Sequence, residues 1–201
     1  MNKKLCVGKI AAMALVSMML ILVAGCNKKE APVAPTDLTA ELNDECIHLS
    51  WKKVPHADYY RITVGFQIRN NLNELLNETR EVSLGEVSST EYDDCFPFEG
   101  TNYYKIEAVN EYGSSSYSLV SCHYPVNETV FMYPNMSTGI VSVQADNINR
   151  IIVSNLNGET LADMEMDSDI CMLYLAQYGT GVYLIHVFSN QGETIKRFVI
   201  V

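Results

Sequence analysis

Apolar side chains recur at every second position in one stretch after another: Ile47, Leu49 and Trp51; Tyr60, Ile62 and Val64; Tyr104, Ile106 and Ala108. A period of two sends successive side chains to opposite faces of an extended chain, so each stretch reads as a strand with one buried face. The signature returns at 141–143, 150–154, 181–189 and 194–201, where β-branched and aromatic residues alternate up to Phe198-Val-Ile-Val201. Turn-rich segments at 52–58 and 112–116 separate the strands, and Asn157-Gly158 and Asn190-Gln191-Gly192 are hairpin signals. The best helical candidate, 71–79, places Leu72, Leu75 and Leu76 at helical spacing but is asparagine-rich, and it reads as a loop insertion with a local apolar patch. A chain of 201 residues suits two small cores better than one large one, and the expected fold is all-β.

The amino-terminal part has a different character. Asn2-Lys3-Lys4 stands before an apolar run, 8–24, broken only by Lys9 and Ser17. A basic flank followed by a short apolar stretch reads as a signal peptide, here 1–25. The run closes on Val23-Ala24-Gly25-Cys26, which resembles a bacterial lipobox. That resemblance implies cleavage before Cys26, a diacylglycerol on its thiol and a membrane partner reached through the lipid. An uncleaved membrane-spanning helix is the competing reading, and the small residues leading into Cys26 favour cleavage. Residues 26–33 then form a short, proline-punctuated tether. The expected location is the outer membrane or cell surface, with a periplasm-facing orientation left open because Lys28 and Lys29 follow the cysteine after Asn27. The chain carries 24 acidic against 14 basic residues, and Lys3, Lys4 and Lys9 fall in the leader. A surplus of that sign repels phosphate backbones and anionic headgroups, which argues against nucleic acid as a partner.

Over 34–125, Pro35-Thr36-Asp37-Leu38, Leu49-Ser50-Trp51, Ala57-Asp58-Tyr59-Tyr60-Arg61-Ile62 and the run from Tyr104 to Gly113-Ser114 resemble a fibronectin type III domain. The family's tyrosine corner falls on Asn102, with Tyr103 one residue out of register, so either a bulge restores the corner or the domain lacks it. Of six cysteines, Cys6 leaves with the leader and Cys26 takes lipid, which leaves Cys46, Cys95, Cys122 and Cys171. The resemblance brings the start of the second strand beside the end of the fifth and so pairs Cys46 with Cys95, the alternative being four free thiols acting as small hydrophobes. Asp44-Glu45 and Asp93-Asp94 flank those two cysteines and read as solvated loop acid, with a calcium site as the sharper alternative. Cys122-His123 lacks the ligand spacing of a zinc site, and no metal is expected.

Over 128–201, Met132-Tyr133-Pro134-Asn135, Ile152 to Glu159, Gly181-Val182-Tyr183-Leu184-Ile185 and Lys196 to Val201 resemble the type A carboxy-terminal sorting domain of type IX secretion. Met136 stands where that family has a second proline. The resemblance implies a small immunoglobulin-like sandwich and a Bacteroidetes source. The overall expectation is thus two immunoglobulin-like β-sandwich domains in tandem after a cleaved lipoprotein signal peptide. Sorting-domain cargo ordinarily enters with a plain signal peptide, so the lipobox and the carboxy-terminal domain give two addresses. The reading adopted is that the lipid anchors the protein while the terminal domain is a structural or partner-docking module.

Chemistry is sparse. No serine sits in a Gly-x-Ser-x-Gly elbow, and there is neither a phosphate loop nor a dinucleotide fingerprint. His48 and His186 fall on strands, His56 and His123 near turns, none beside a candidate nucleophile. No cofactor and no catalysis are expected. Tyr59, Tyr92, Tyr103, Tyr112 and Tyr117 lie off the main alternating faces and form a candidate binding surface for a protein or glycan ligand, against the plainer reading of cross-strand pairs that stabilise a sheet. Asn70, Asn71 and Asn73 with Leu75 and Leu76 form a second candidate surface. The expected function is a non-catalytic cell-envelope lipoprotein that binds or scaffolds. The alternatives are a carbohydrate-binding accessory protein of a glycan-uptake system and a type IX secretion substrate.

Overall fold

The structure, a computed structural model, describes residues 29–201, so the leader and Cys26 lie outside the described residues. The alternating stretches are strands. Eight belong to a first sandwich: β1 (Thr39–Asn43), β2 (Cys46–Ser50), β3 (Tyr59–Arg69), β4 (Leu75–Val87), β5 (Glu91–Asp94), β6 (Gly100–Asn110), the short β7 (Gly113–Ser114) and β8 (Ser118–Tyr124). They form a three-stranded sheet β1-β2-β5 facing a second sheet β4-β3-β6, with β7 and β8 both paired to β6. Between the two sheets lie Ile47, Leu49, Ile62, Val64, Phe66, Tyr104 and Ile106, all fully buried. Trp51 meets the ring of Tyr60 edge-on at 5.2 Å, and the Tyr60 hydroxyl accepts the Val54 N–H at 2.8 Å.

One local expectation is replaced and one pair of alternatives is resolved. Residues 71–79 are not a loop insertion: the turn closes at Glu74 and Leu75 opens β4, which pairs with β3. Asn70 explains this, because its Oδ1 accepts the N–H groups of Leu72 and Glu74 at 2.9 and 3.0 Å and so caps a tight turn. At the corner at the start of β6 no bulge restores a tyrosine: Tyr103 stays on the outer face, so the tyrosine corner is lacking, the second of the two alternatives. The buried Asn102 amide accepts from Phe98 N–H at 3.1 Å and donates to the carbonyls of Phe98 (2.7 Å) and Gly100 (3.3 Å). An amide holds this corner from inside the chain, where the family uses a phenol.

The second sandwich comprises β9 (Val130–Tyr133), β10 (Met136–Ser137), β11 (Ile140–Asn155), β12 (Thr160–Tyr174), β13 (Gly181–Ser189) and β14 (Gly192–Ile200). The two stretches foreseen at 141–143 and 150–154 are one strand, β11, whose register with β12 shifts between Gln144 and Ile148. Its first half pairs with β9 and its second half with β13, so the long β11–β12 hairpin runs through both layers of the sandwich. Val141, Val143, Ile151, Val153, Ile185, Val187 and Phe198 fill the space between them. Asn155 and Gly158, the latter at φ 80°, shape the hairpin turn.

The two cores meet. Val199 of β14 is buried within the first core, and Met136 and Val182 pack against it.

Candidate functional site

The joint between the sandwiches concentrates the buried charge of the molecule. β14 places Lys196 and Arg197 on opposite faces of one strand, as successive strand residues must be. Both end on carboxylates of the first sandwich. Arg197 meets buried Asp94 through Nη2 at 2.6 Å and Nη1 at 3.1 Å, and Tyr104 donates its hydroxyl to the same carboxylate at 2.8 Å. Lys196 pairs with Glu99, whose other oxygen takes Arg69 Nη2 at 2.7 Å. Burial lowers the Lys196 pKa, an effect that Glu99 opposes, and burial beside Asp94 raises that of Tyr104. The Arg197 guanidinium also lies over the ring of Phe98 at 5.2 Å, and Phe98 stacks on Phe66 at 3.8 Å. Charge and apolar packing of the first core are thereby continuous with the last strand.

Asn135 completes this clamp. Its Oδ1 accepts Arg69 N–H at 2.8 Å, its Nδ2 donates to Gln67 carbonyl at 2.9 Å, and its carbonyl takes Val199 N–H at 3.0 Å. Asn135 of the Tyr-Pro-Asn feature and the Lys196-Arg197 pair of the second unit thus face the first unit. Asp94, read from sequence as solvated loop acid, is instead the buried acceptor of the clamp. No signal for this lay near Asp94 itself; the visible sign was two basic residues inside the apolar strand 194–201.

Cys46 and Cys95 are joined by a disulfide that ties β2 to the residue following β5, directly beside Asp94. Cys122 and Cys171 are free thiols, each half-buried, with burial pushing the Cys171 pKa up.

The five tyrosines do not form one surface. Tyr59 and Tyr103 project from the outer face of the β4-β3-β6 sheet, with Tyr103 directly opposite Gly65. Tyr117 joins them, its ring 4.6 Å from Lys105 Nζ on that face. Tyr92 lies opposite Leu49 in the other sheet and packs against the first core, and Tyr112 sits in the β6–β7 turn. Asn70 and Asn73 are occupied in shaping their turn and in bonding to Arg69.

A second surface was not foreseen. Where β9, the first half of β11 and the end of β12 lie side by side, their outer face shows Phe131, Tyr133, Ile140, Ile170, Met172 and Tyr174 in rows across the strands. Ser142 and Gln144 lie between them. Ile170, Met172 and Tyr174 are 57%, 54% and 63% exposed, far more than apolar strand residues with a covered face. At one end the face runs into a depression of about 300 Å³ lined by Phe131, Gln144, Asp146 and Asp169.

One arrangement has catalytic distances, which corrects the expectation that no histidine stands beside a nucleophile. Ser154 Oγ lies 3.3 Å from His186 Nε2, and His186 Nδ1 lies 2.9 Å from Glu193 Oε1. Ser154 is only 4% exposed, and the backbone around it is paired to β12 on one side and β13 on the other. The ladder thus uses the N–H groups that an oxyanion hole needs, and the three side chains form a cross-strand hydrogen-bond chain. Among the described residues no group of three or more His, Cys, Asp or Glu side chains is placed to hold a metal ion, and no helix is long and apolar enough to cross a membrane.

The architecture is that of two all-β sandwiches in tandem. Residues 131–201 match the family model of the secretion system C-terminal sorting domain, a tail that implies export to the cell surface or outer membrane. No curated protein matches the chain. Among solved structures it is similar to a mutant fibronectin type III protein, "FN3tt mut", at 21% identity over 46% of this chain and 94% of that one, with a TM-score of 0.34. It is also similar to the fn3 domain of human collagen alpha-1(XX) chain, at 16% identity over 51% and 94% with a TM-score of 0.35. A segment of two fibronectin type III domains from chicken tenascin is similar at 15% identity, over 82% of this chain and 97% of that one, with a TM-score of 0.35. The fold assignment itself rests on the strand pairing.

Proposed function

We propose that this protein is a substrate of type IX secretion, with the carboxy-terminal sandwich as export address and the first sandwich as a non-catalytic binding module displayed outside the cell. The observation that carries this reading is the match of 131–201 to the sorting-domain family. It favours an export role over the structural or partner-docking role first expected of the terminal domain. Lipid attachment at Cys26 belongs to the proposal as a second, membrane-directed anchor, supported by Val23-Ala24-Gly25-Cys26. The module's ligand is a protein or glycan, and the outer sheet face bearing Tyr59, Tyr103 and Tyr117 is the part of the tyrosine set that can meet it.

The test is to express the full chain in a host with a working type IX system and in its isogenic secretion-deficient mutant, followed by protease shaving of intact cells. Surface exposure in the first host and retention in the periplasm of the second is expected. Equal exposure in both would refute type IX export. Labelled fatty acid fed to the cells is expected to enter the native chain and not a Cys26→Ala chain, and an unlabelled native chain would refute lipid anchoring.

A further inference from the structure

We infer that the apolar face built by Phe131, Tyr133, Ile140, Ile170, Met172 and Tyr174 is the docking surface of the second sandwich, and that its occupant is a partner protein presenting an apolar ridge flanked by lysine or arginine. The inference rests on the export reading, since it names the surface by which the tail is read. Two observations carry it. The residues that most mark the second unit, Asn135, Lys196 and Arg197, are already engaged by Gln67, Arg69, Glu99 and Asp94 of the first sandwich, and the joint buries them. A partner approaching the folded chain must therefore contact something else. The only broad apolar sheet face left uncovered among the described residues of this unit is the one on β9, β11 and β12.

Charge selects the occupant. Neither 128–149 nor 160–185 contains a lysine, arginine or histidine, and Asp146 and Asp169 line the depression at the end of the face. Such a surface offers apolar contact area at its centre and negative potential at one end, and an apolar ridge with a cationic flank complements both. A second copy of this chain, itself at net charge −10, would bring like charge to like. An anionic lipid surface is disfavoured for the same reason.

The test places a photo-crosslinking phenylalanine analogue at Met172 of the full chain in secreting cells, with the same analogue at Leu42, exposed on β1 of the first sandwich, as control. Mass spectrometry of the adduct is expected to identify one partner, with lysine or arginine beside apolar residues in the crosslinked peptide, from Met172 and not from Leu42. Asp146→Lys is expected to lower the adduct, and Ile170→Lys with Met172→Lys to lower surface delivery by about tenfold, the scale of losing a central apolar contact. Thermal melting of the purified variants shows whether they fold as wild type; if they do not, the crosslink and Asp146→Lys decide. An adduct of twice the chain's mass, an acidic-rimmed peptide, or no adduct would overturn the inference. If wild-type delivery proves independent of the type IX system while the Met172 adduct persists, the export reading fails and the docking face stands. If delivery is dependent yet folded face variants travel as wild type, the docking face fails and the export reading stands.

Discussion

Asp94 accepts buried hydrogen bonds from Tyr104 and from both terminal nitrogens of Arg197, and a part-buried one from the Phe96 N–H. Removing one partner from such a set strands the other charge without water. Asp94→Ala is therefore expected to destabilise the protein by about 3–5 kcal/mol in urea titrations, whereas Asp94→Leu combined with Arg197→Met should lose far less, because it leaves no buried charge. Equal losses would show that apolar packing and not charge holds the joint. Tyr104 gives a pH signature. Burial, with Asp94 adding to it, raises its folded pKa above that of an unfolded tyrosine, so its contribution is complete below the unfolded pKa of about 10 and is lost as pH rises beyond that value. Tyr92 and Tyr124 are raised by burial and act in the same sense, while Lys196, lowered by burial, opposes them up to the ordinary lysine pKa. Unfolding free energy measured from pH 9 to 11 should fall, and fall less in Tyr104→Phe.

At the scale of elements, the alternating apolar stretches made β2, β3 and β6 legible because both of their neighbours and one face are covered. β12 was not legible. Its solvent side carries Asp163, Glu165 and Asp167 interleaved with methionines, residues of low strand propensity, yet it is an edge strand where acidic side chains keep other strands from pairing. β4 hid behind leucines at helical spacing that belong partly to a turn. The clamp was half legible: Lys196 stood out in its strand, but Asp94 and Glu99 differ from surface polar residues only in what folds around them, and that is long-range information. The turn between β10 and β11 gives a test at this scale. Gly139 has φ 110°, and a Cβ there would lie 2.5 Å from the backbone nitrogen of Ala176. Neither atom belongs to a flexible side chain, so Gly139→Ala should cost about 1–3 kcal/mol by thermal denaturation, while Ile170→Lys on the open face should change stability by about 0.5 kcal/mol or less. A neutral Gly139→Ala would mean that the turn can move.

For the molecule as a whole, a shared core residue, two buried ion-pair sites and the Asn135 bridge make the two sandwiches one cooperative body. Calorimetry is expected to record a single transition for the oxidised chain. The Cys46–Cys95 bridge closes 49 residues, for which chain entropy gives about 4 kcal/mol, and a reduced or Cys46→Ser/Cys95→Ser protein should melt correspondingly lower. Two separate transitions in the oxidised protein would refute the joint's rigidity. The same joint bears on the order in which the chain is made. Asp94 and Arg197 are 103 residues apart, and Val199 seals a core whose other members were synthesised long before it. Through most of its synthesis the first sandwich carries an unneutralised carboxylate and an unsealed hydrophobic edge, both of which disfavour early closure. The packing of the first sandwich is therefore complete only once β14 has been made, so its full rigidity is a late property of the chain.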